Sequence, residues 1–564
     1  MANALTSVTS DCQSCYKCIR KCPTKSISFH DGRAEIIPEE CVLCGACYLA
    51  CPQHCKVIRD DLPLVQKILA ENPVVYASVA PSFLAAFPGC SFASFRSALL
   101  QLGFHEVEET AVGATIVKKR YDELCDDGKH DVIISTCCHS INLLIEKHYP
   151  AASKYLADVL SPMLAHAQDI KRRHPEAKVI FFGPCISKKN EVEMYPGYDE
   201  AALTFLELDR WLKEKGITIS SDPHPEPVAA SLARLFPIEG GILATMKKDN
   251  PEFSYLAIGG MDEAILAIED ILSGKVHHAF IEMSSCSNSC INGPAMPEEG
   301  RALVSSILAI KRAAGPKDFL VSSYDDAATK KAFYAFRNDR IVPSESAIKE
   351  VLAKIGKTRP EDELNCSSCG YPTCRDKAIA VLQGKANLEM CLPFLMGKAK
   401  SFSNSIVANA SDPIVVLDES LKIQLANPAL LSLVGILGEK DLIGKPVSSL
   451  MDETLFALAL GGENTLNKKI YWADYGRYLQ ATISYDKQFH ILIGIFRDIT
   501  LKETERAKEK AVAEESAKIT SEVIEKNMRT VQEIAQLLGE STAETKVALN
   551  KLKDAIKKDS GDDE

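Results

Sequence analysis

The sequence predicts a multidomain chain of mixed α/β and α+β class, and three observations carry that prediction. Its 564 residues are several times the usual length of one domain. From residue 60 to residue 310, continuous apolar runs alternate with amphipathic helical stretches, the pattern of a parallel sheet covered on both faces. Cysteines crowd the start of the chain and recur as far as Cys391; beyond it there are none, and short strand-like runs between turn residues take over. The expected order is a small cysteine-rich domain at 1–60, an α/β domain at 61–358 and a second cysteine-rich domain at 359–398. An α+β domain at 399–503, helices at 504–558 and a disordered acidic tail at 559–564 complete it.

A net charge of −11 is mild for this length and leaves no basic footprint, which excludes nucleic acid as the expected partner. No apolar run approaches the roughly 20 residues that span a bilayer, and the polar start Met1-Ala2-Asn3 lacks a signal pattern. A cytoplasmic protein without membrane contact is expected. Twenty cysteines in a reducing compartment then argue for metal ligation over disulfides.

The first domain carries two copies of one run: Cys12, Cys15, Cys18, Cys22-Pro23, then Cys41, Cys44, Cys47, Cys51-Pro52. This is the spacing of bacterial ferredoxins with two [4Fe–4S] clusters, in which the last cysteine of each run serves the other cluster. One cube is expected on Cys12, Cys15, Cys18 and Cys51, the other on Cys41, Cys44, Cys47 and Cys22. A disulfide scaffold or zinc knuckle is the competing reading, which the duplication and the paired prolines disfavour.

In the α/β domain four apolar runs end in loaded loops. Val74–Ala80 runs into Pro81-Ser82, Val132–Ile134 into Ser135-Thr136-Cys137-Cys138-His139, Val179–Phe182 into Gly183-Pro184-Cys185, and Ala279–Met283 into Cys286 and Cys290. Ligands gather at the carboxyl ends of parallel strands. Four thiolates arriving there from three loops would make a cluster site held by the whole fold, although each cysteine alone reads equally as a packing residue.

These motifs resemble the [FeFe]-hydrogenases. Ser135–His139 is similar to the family's T-S-C-C-P, Gly183-Pro184-Cys185-Ile186-Ser187-Lys188-Lys189-Asn190-Glu191 to M-P-C-x-x-K-x-x-E, and Glu282–Cys290 to E-x-M-x-C-x-x-G-C. The resemblance implies a two-lobed α/β domain holding an H-cluster, a [4Fe–4S] cube on Cys138, Cys185, Cys286 and Cys290. Cys290 would bridge to a diiron unit with CO, cyanide and a dithiolate amine, a unit that needs maturases. It also implies Lys188 as the cyanide contact, Cys137 as the thiol that transfers protons, Glu191 and Glu282 as motif carboxylates, and heterolysis of H2 as the reaction. A surface lysine and a buried spectator thiol are the plainer readings of Lys188 and Cys137.

The departures set further expectations. Gly183 and Ser284 stand where the family has methionines beside the diiron unit, Ser289 replaces a glycine, and His139 a proline. The stretch Val112–Glu123, where relay glutamates belong, is dominated by Lys118, Lys119 and Arg120, with Asp122 or Glu123 as substitutes. Slow turnover with H2 binding retained is expected.

Cys366-x2-Cys369-x4-Cys374-x16-Cys391 resembles a small [4Fe–4S] domain found on anaerobic redox enzymes, with zinc as the alternative. This leaves Cys55, Cys90, Cys125 and Cys137 outside the cubes. Residues 399–503 resemble a PAS domain, closing in Arg497-Asp498-Ile499-Thr500, and 501–538 read as one long helix with an apolar stripe through Ile519, Val523, Ile524, Met528, Val531, Ile534 and Leu538. Gly539 is expected to stop it, and Ser541-x2-Glu544 to cap a second helix bearing Val547, Leu549, Leu552 and Ile556. The expected protein is a sensory [FeFe]-hydrogenase with three further [4Fe–4S] clusters, dimerising through its PAS domain and helices. Its partners would be H2 and protons, a redox partner and a downstream signalling protein. A catalytic ferredoxin hydrogenase and a diiron-free iron–sulfur assembly or electron-transfer protein are the alternatives.

Overall fold

Strands that are apolar from end to end need cover on both faces, and two parallel sheets provide it. One has the order Glu106–Glu109, Val75–Val79, Lys178–Gly183, Ala201–Thr204; the other runs Ser254–Gly259, Ala279–Ser284, Val132–Ile134. The computed structural model describes residues 3–8, 11–221, 231–321, 329–334, 336, 340–538 and 549–556. They fall into two units, 1–395 and 396–564.

All four expected apolar strands are present, and three strands were not legible. Glu106-Val107-Glu108-Glu109 is acidic and sits at a sheet edge, where Arg96 takes Glu106, Arg173 takes Glu108 and Arg234 takes Glu109. Its charge is thus a paired edge rather than a loop. Ala201–Thr204 is short, and Ser254–Gly259 is a partly exposed edge strand.

In the first cysteine-rich segment, Leu5–Ser7 pairs with Lys56–Ile58 and Ile27–His30 with Arg33–Ile36, the latter through Asp31-Gly32, both at positive φ as a two-residue hairpin demands. Its second helix, Ala46–Ala50, starts at Gly45 with φ 75°, and a Cβ there would lie 2.4 Å from Pro294 and 3.1 Å from Ile186. Only glycine lets the loop of Cys44 and Cys47 approach this closely. The helix Glu345–Lys354 shares a core with Cys374–Leu382, through Ile348, Val351, Leu352 and Ala378, so it packs with the second cysteine-rich segment.

The second unit holds a five-stranded antiparallel sheet, ordered Ile423–Ala426, Ile414–Asp418, Ile491–Asp498, Arg477–Asp486, Thr465–Trp472. Phe456 and Leu430, from the helices Thr454–Leu460 and Pro428–Val434, close its apolar face. The long helix spans Thr500–Leu538, as expected. Gly539, Ser541, Glu544, Val547 and the tail 559–564 lie outside the described residues, while Leu549, Leu552 and Ile556 fall in helical residues 549–556. No described helix is long and apolar enough to cross a membrane.

Asn427 ties this unit together. Its Nδ2 donates to the carbonyls of Val407 (3.2 Å) and Asp412 (2.9 Å), and its Oδ1 accepts from the amides of Ile414 (2.8 Å) and Leu430 (3.0 Å), capping the helix Pro428–Val434. Asn427→Ala removes a cap and strands buried backbone groups, an expected loss of about 2–4 kcal/mol. A fall in the urea midpoint of the second unit's sheet, followed by circular dichroism, checks it.

Candidate functional site at the strand ends

The two parallel sheets point their carboxyl ends at one cavity, with an empty volume of about 750 Å³. Pro81 and Ser82 reach it after Val75–Val79, Cys137 and Cys138 after Val132–Ile134, Pro184 and Cys185 after Lys178–Gly183, and Ser289 and Cys290 after Ala279–Ser284. Three of the four expected cubane cysteines line it directly. The fourth, Cys286, adjoins through Ser285, whose Oγ lies 3.6 Å from the Cys138 sulfur and 3.8 Å from that of Cys286.

Charge shows the same convergence. Burial, then the neighbouring charges of Cys185, Cys138 and Cys290, push the Cys286 thiol far up. Cys290 is exposed into the cavity, and desolvation within it, then the charges of Cys138 and Cys185, push its thiol up. Thiols so crowded and desolvated resist ionisation unless cations lie among them, and the irons of a cube are such cations. The residues present therefore fit the cube.

Lys188 is buried beside this set. Its Nζ donates to the Cys137 carbonyl (3.2 Å) and pairs with Glu191, whose second oxygen takes Lys331 Nζ at 2.5 Å. Burial pushes the Glu191 carboxyl up, but Lys188 and Lys331 outweigh it and hold it far below the carboxylate range. One buried carboxylate thus faces two ammonium groups, of which that of Lys188 stands at the cavity wall. The plainer reading of Lys188 as a surface lysine is corrected by its burial. His139 is buried on the same cluster, with Nε2 3.1 Å from Asn190 Oδ1, and burial pushes it down to about 3, so it is neutral.

Cys137 lines the cavity, pushed up to about 12 by burial, and its sulfur lies 3.3 Å from the Tyr121 hydroxyl. Tyr121 is fully buried, and its oxygen accepts from the Thr136 amide at 2.9 Å. Gly183 is absent from the cavity wall: a Cβ there would lie 2.7 Å from the Phe181 ring, so Phe181 takes the space where a longer side chain would lie. Ser284 lines the wall, but its hydroxyl donates to the Cys286 carbonyl at 3.1 Å. Met163 and Met283 line the cavity, so thioethers reach it from positions other than the two replaced.

Asp122 and Glu123 do not line the cavity. Asp122 accepts from the Lys247 amide (3.0 Å), Glu123 pairs with Arg120, and Lys118 is held by Asp318 (2.7 Å). Lys331, Phe181, Met163 and Tyr121 were missed by the sequence reading. Lys331 in particular looks like half of an ordinary Lys-Lys surface pair, and no sequence signal marks it.

Seven of the eight ferredoxin-like cysteines fall into two crossed neighbourhoods. The Cys18 thiol feels Cys51 and Cys12, whereas Cys47 feels Cys44, Cys41 and Cys22. Cys366, Cys369, Cys374 and Cys391 line a separate cavity of about 340 Å³. Cys90 and Cys125 sit in the apolar core, and Cys55 is buried behind Cys51.

Fold and site together define an α/β domain whose strand-end cysteines suit an iron–sulfur cluster. Residues 73–294 match the family model of the iron-only hydrogenase large subunit, C-terminal domain; residues 5–52 match a 4Fe-4S dicluster domain, 362–393 a putative Fe–S cluster domain and 402–499 the PAS fold. Iron hydrogenase 1 of Clostridium pasteurianum is 23% identical over 43% of this chain and 52% of its own, so the chain spans about half the length of that relative. A variant of the [FeFe]-hydrogenase HydA1 from Chlamydomonas reinhardtii has 16% identity, covering 45% of this chain and 88% of its own at a TM-score of 0.36. The PAS domain of nitrogen regulation protein NR(II) from Vibrio parahaemolyticus has 21% identity, covering 17% and 97% at 0.15. The chain is a hydrogenase-like iron–sulfur protein that carries a PAS domain.

Glu282 lines the cavity and accepts from the amides of Gly240 (2.9 Å) and Leu243 (3.1 Å), yet burial pushes its carboxyl up to about 7. Its folded-state proton is retained where the unfolded chain has lost it, so this contribution to stability is complete below an ordinary glutamate pKa and disappears as pH rises through about 7. Glu282→Gln is expected to remove a pH-dependent loss of about 3 kcal/mol between pH 5 and 8. Urea midpoints of both proteins across that range check it; parallel curves contradict it.

Proposed function

We propose that the chain is a sensory [FeFe]-hydrogenase that binds and slowly, reversibly splits H2 and reports the resulting redox state through iron–sulfur clusters to its PAS domain and a partner protein. The observation that carries the reading is the buried Lys188–Glu191–Lys331 cluster set against the cavity of Cys138, Cys185, Cys286 and Cys290, with no acid of the upstream helix reaching that cavity among the described residues. Cation and ligand cysteines suit an anionic H-cluster, and the missing upstream acids suit slow proton supply.

Cys138, Cys185, Cys286 and Cys290 would hold the cube, and Cys290 would also anchor the diiron unit. When bound, that group would supply the splitting of H2 into two protons and two electrons. Lys188 then presents an ammonium held in place by Glu191 and the Cys137 carbonyl. Cys137 keeps its proton at neutral pH and can pass it on as a thiol. Phe181, Met163 and Met283 keep the wall apolar, which excludes water. Cys12, Cys15, Cys18 and Cys51, then Cys41, Cys44, Cys47 and Cys22, then Cys366, Cys369, Cys374 and Cys391 are assigned to three further cubes that carry electrons. The link from the last cube to the PAS domain rests on order along the chain. Cytoplasmic location, maturase-dependent assembly and homodimerisation belong to the same reading; for the last, exposed Leu501, Val512, Ile519 and Val523 on the long helix supply apolar surface.

The test uses the matured chain. Dye-linked H2 oxidation is expected to be slow, and limited proteolysis of the helix Thr500–Leu538 is expected to change on adding H2. Turnover matching a production hydrogenase would favour the catalytic alternative, and cleavage indifferent to H2 would remove the sensing role.

A further inference from the structure

A chain of hydrogen bonds leaves the cavity from Thr110. Thr110 lines the cavity, and its Oγ1 is 2.8 Å from Ser78 Oγ. Ser78 Oγ is 2.8 Å from His166 Nδ1, and His166 Nε2 is 3.2 Å from Glu108 Oε2. Glu108 is partly exposed and bonds Arg173 at 3.0 and 2.6 Å. We propose that Thr110, Ser78, His166 and Glu108 form a proton wire between the cavity and solvent. The wire rests on the reading of the cavity as an H2-splitting site.

Thr110 stands at the N-cap of the helix Ala111–Asp126, the position where a threonine hydroxyl ordinarily takes a helix amide, yet it makes no capping bond. Its hydroxyl is turned to Ser78 instead. Ser78 and His166 are completely buried among apolar residues, where a polar group is tolerated only when hydrogen-bonded. The backbone is shaped for this contact as well. A Cβ on Gly113 would lie 2.2 Å from the Pro162 carbonyl and 2.7 Å from the His166 amide, so only glycine lets the helix Pro162–Arg173 come close enough to set His166 behind Ser78. At the inner end, the Ser82 hydroxyl also lines the cavity, buried and without a hydrogen-bond partner among the described residues, so a proton meets a second polar group beside Thr110.

The acceptors fix the direction. With a neutral imidazole ring, Nε2 carries the hydrogen because the Glu108 carboxylate only accepts, and Nδ1 accepts from Ser78, whose oxygen accepts from Thr110. A proton arriving on Thr110 from the cavity releases the Thr110 hydrogen to Ser78. Ser78 passes its own to Nδ1, and the Nε2 hydrogen leaves to Glu108 and water. One proton enters, one leaves, and rotation of the hydroxyls with tautomer exchange of His166 resets the wire; run backwards, it supplies protons. Burial pushes the Glu108 carboxyl up, but its bonds to His166 and Arg173 bring it down to about 2, so a proton stays there only in transit. Among the described residues Tyr121 offers Cys137 no comparable exit, because its chain of hydrogen bonds ends at Thr136 and the Val159 carbonyl, both buried.

The test compares wild type with Thr110→Val, Ser78→Ala and Thr110→Ser in the matured chain, after infrared bands of metal-bound CO and cyanide confirm loading. Exchange of H2 with D2O is expected to fall at least tenfold in Thr110→Val and Ser78→Ala, with a larger solvent isotope effect and unmoved bands, and with a urea midpoint lowered by no more than the loss of a buried hydrogen bond accounts for. Thr110→Ser, which keeps the hydroxyl, is expected to retain at least half the rate. In the chain before maturation, nitrogen NMR of labelled histidine is expected to show His166 as the Nε2–H tautomer, with its Nδ1 signal shifted by Ser78→Ala. Wild-type exchange in Thr110→Val, equal loss in Thr110→Ser, or an Nδ1–H tautomer overturns the wire while leaving the H2-splitting reading intact. Absence of bands from the matured wild type overturns both.

Discussion

The buried carboxylate of Glu191 is the constraint on which the site depends. It is completely inaccessible, and its two oxygens hold two ammonium groups from different parts of the chain, Lys188 three residues on from Cys185 and Lys331 from beyond residue 328. A charge that deep is tolerated only when fully paired, and removing one partner of such a pair typically costs about 3–5 kcal/mol. Lys331 is further seated 4.7 Å from the ring centre of Tyr195, whose hydroxyl donates to the Ala332 carbonyl. The cluster thereby fixes the helix Ser187–Met194, and with it the loop of Cys185 and the ammonium that faces Cys137.

Around that fixed point the cavity wall is a compromise between apolar packing and a few placed polar groups. The side chain missing at Gly183 leaves no hole, because Phe181 fills it, and the Ser284 hydroxyl is satisfied by backbone rather than offered to a ligand. Glu282 is the exception, a carboxyl held at the wall by two amides with a neutral form in reach near pH 7. Ser289 adopts φ 62°, a left-handed conformation that glycine takes at lower cost, which gives the replaced glycine a local backbone meaning.

Much of the fold was legible because its signals are local. Val75–Val79 and Val132–Ile134 are apolar runs that a buried parallel strand requires, and cysteines at their ends stand out in any sequence. Strand Glu106–Glu109 was not legible, since its meaning depends on arginines elsewhere in the sequence that neutralise it. Lys331 was hidden for the same reason: its partner is 140 positions away. His166 likewise gave no signal, because a histidine acquires a role only from the groups that tertiary packing sets against its two nitrogens. Asp122 and Glu123 stand where relay acids could have been replaced, yet neither lines the cavity: Asp122 accepts from the Lys247 amide and Glu123 pairs with Arg120.

The central claim is that this cavity holds a diiron unit that responds to H2. An anaerobic infrared spectrum of the matured chain, recorded in the region of metal-bound CO and cyanide before and after adding H2, tests it most directly. The account predicts sharp bands in that region that shift with H2. A matured chain that carries its iron–sulfur clusters but shows no such bands would contradict it and place the protein among the diiron-free electron-transfer or assembly proteins.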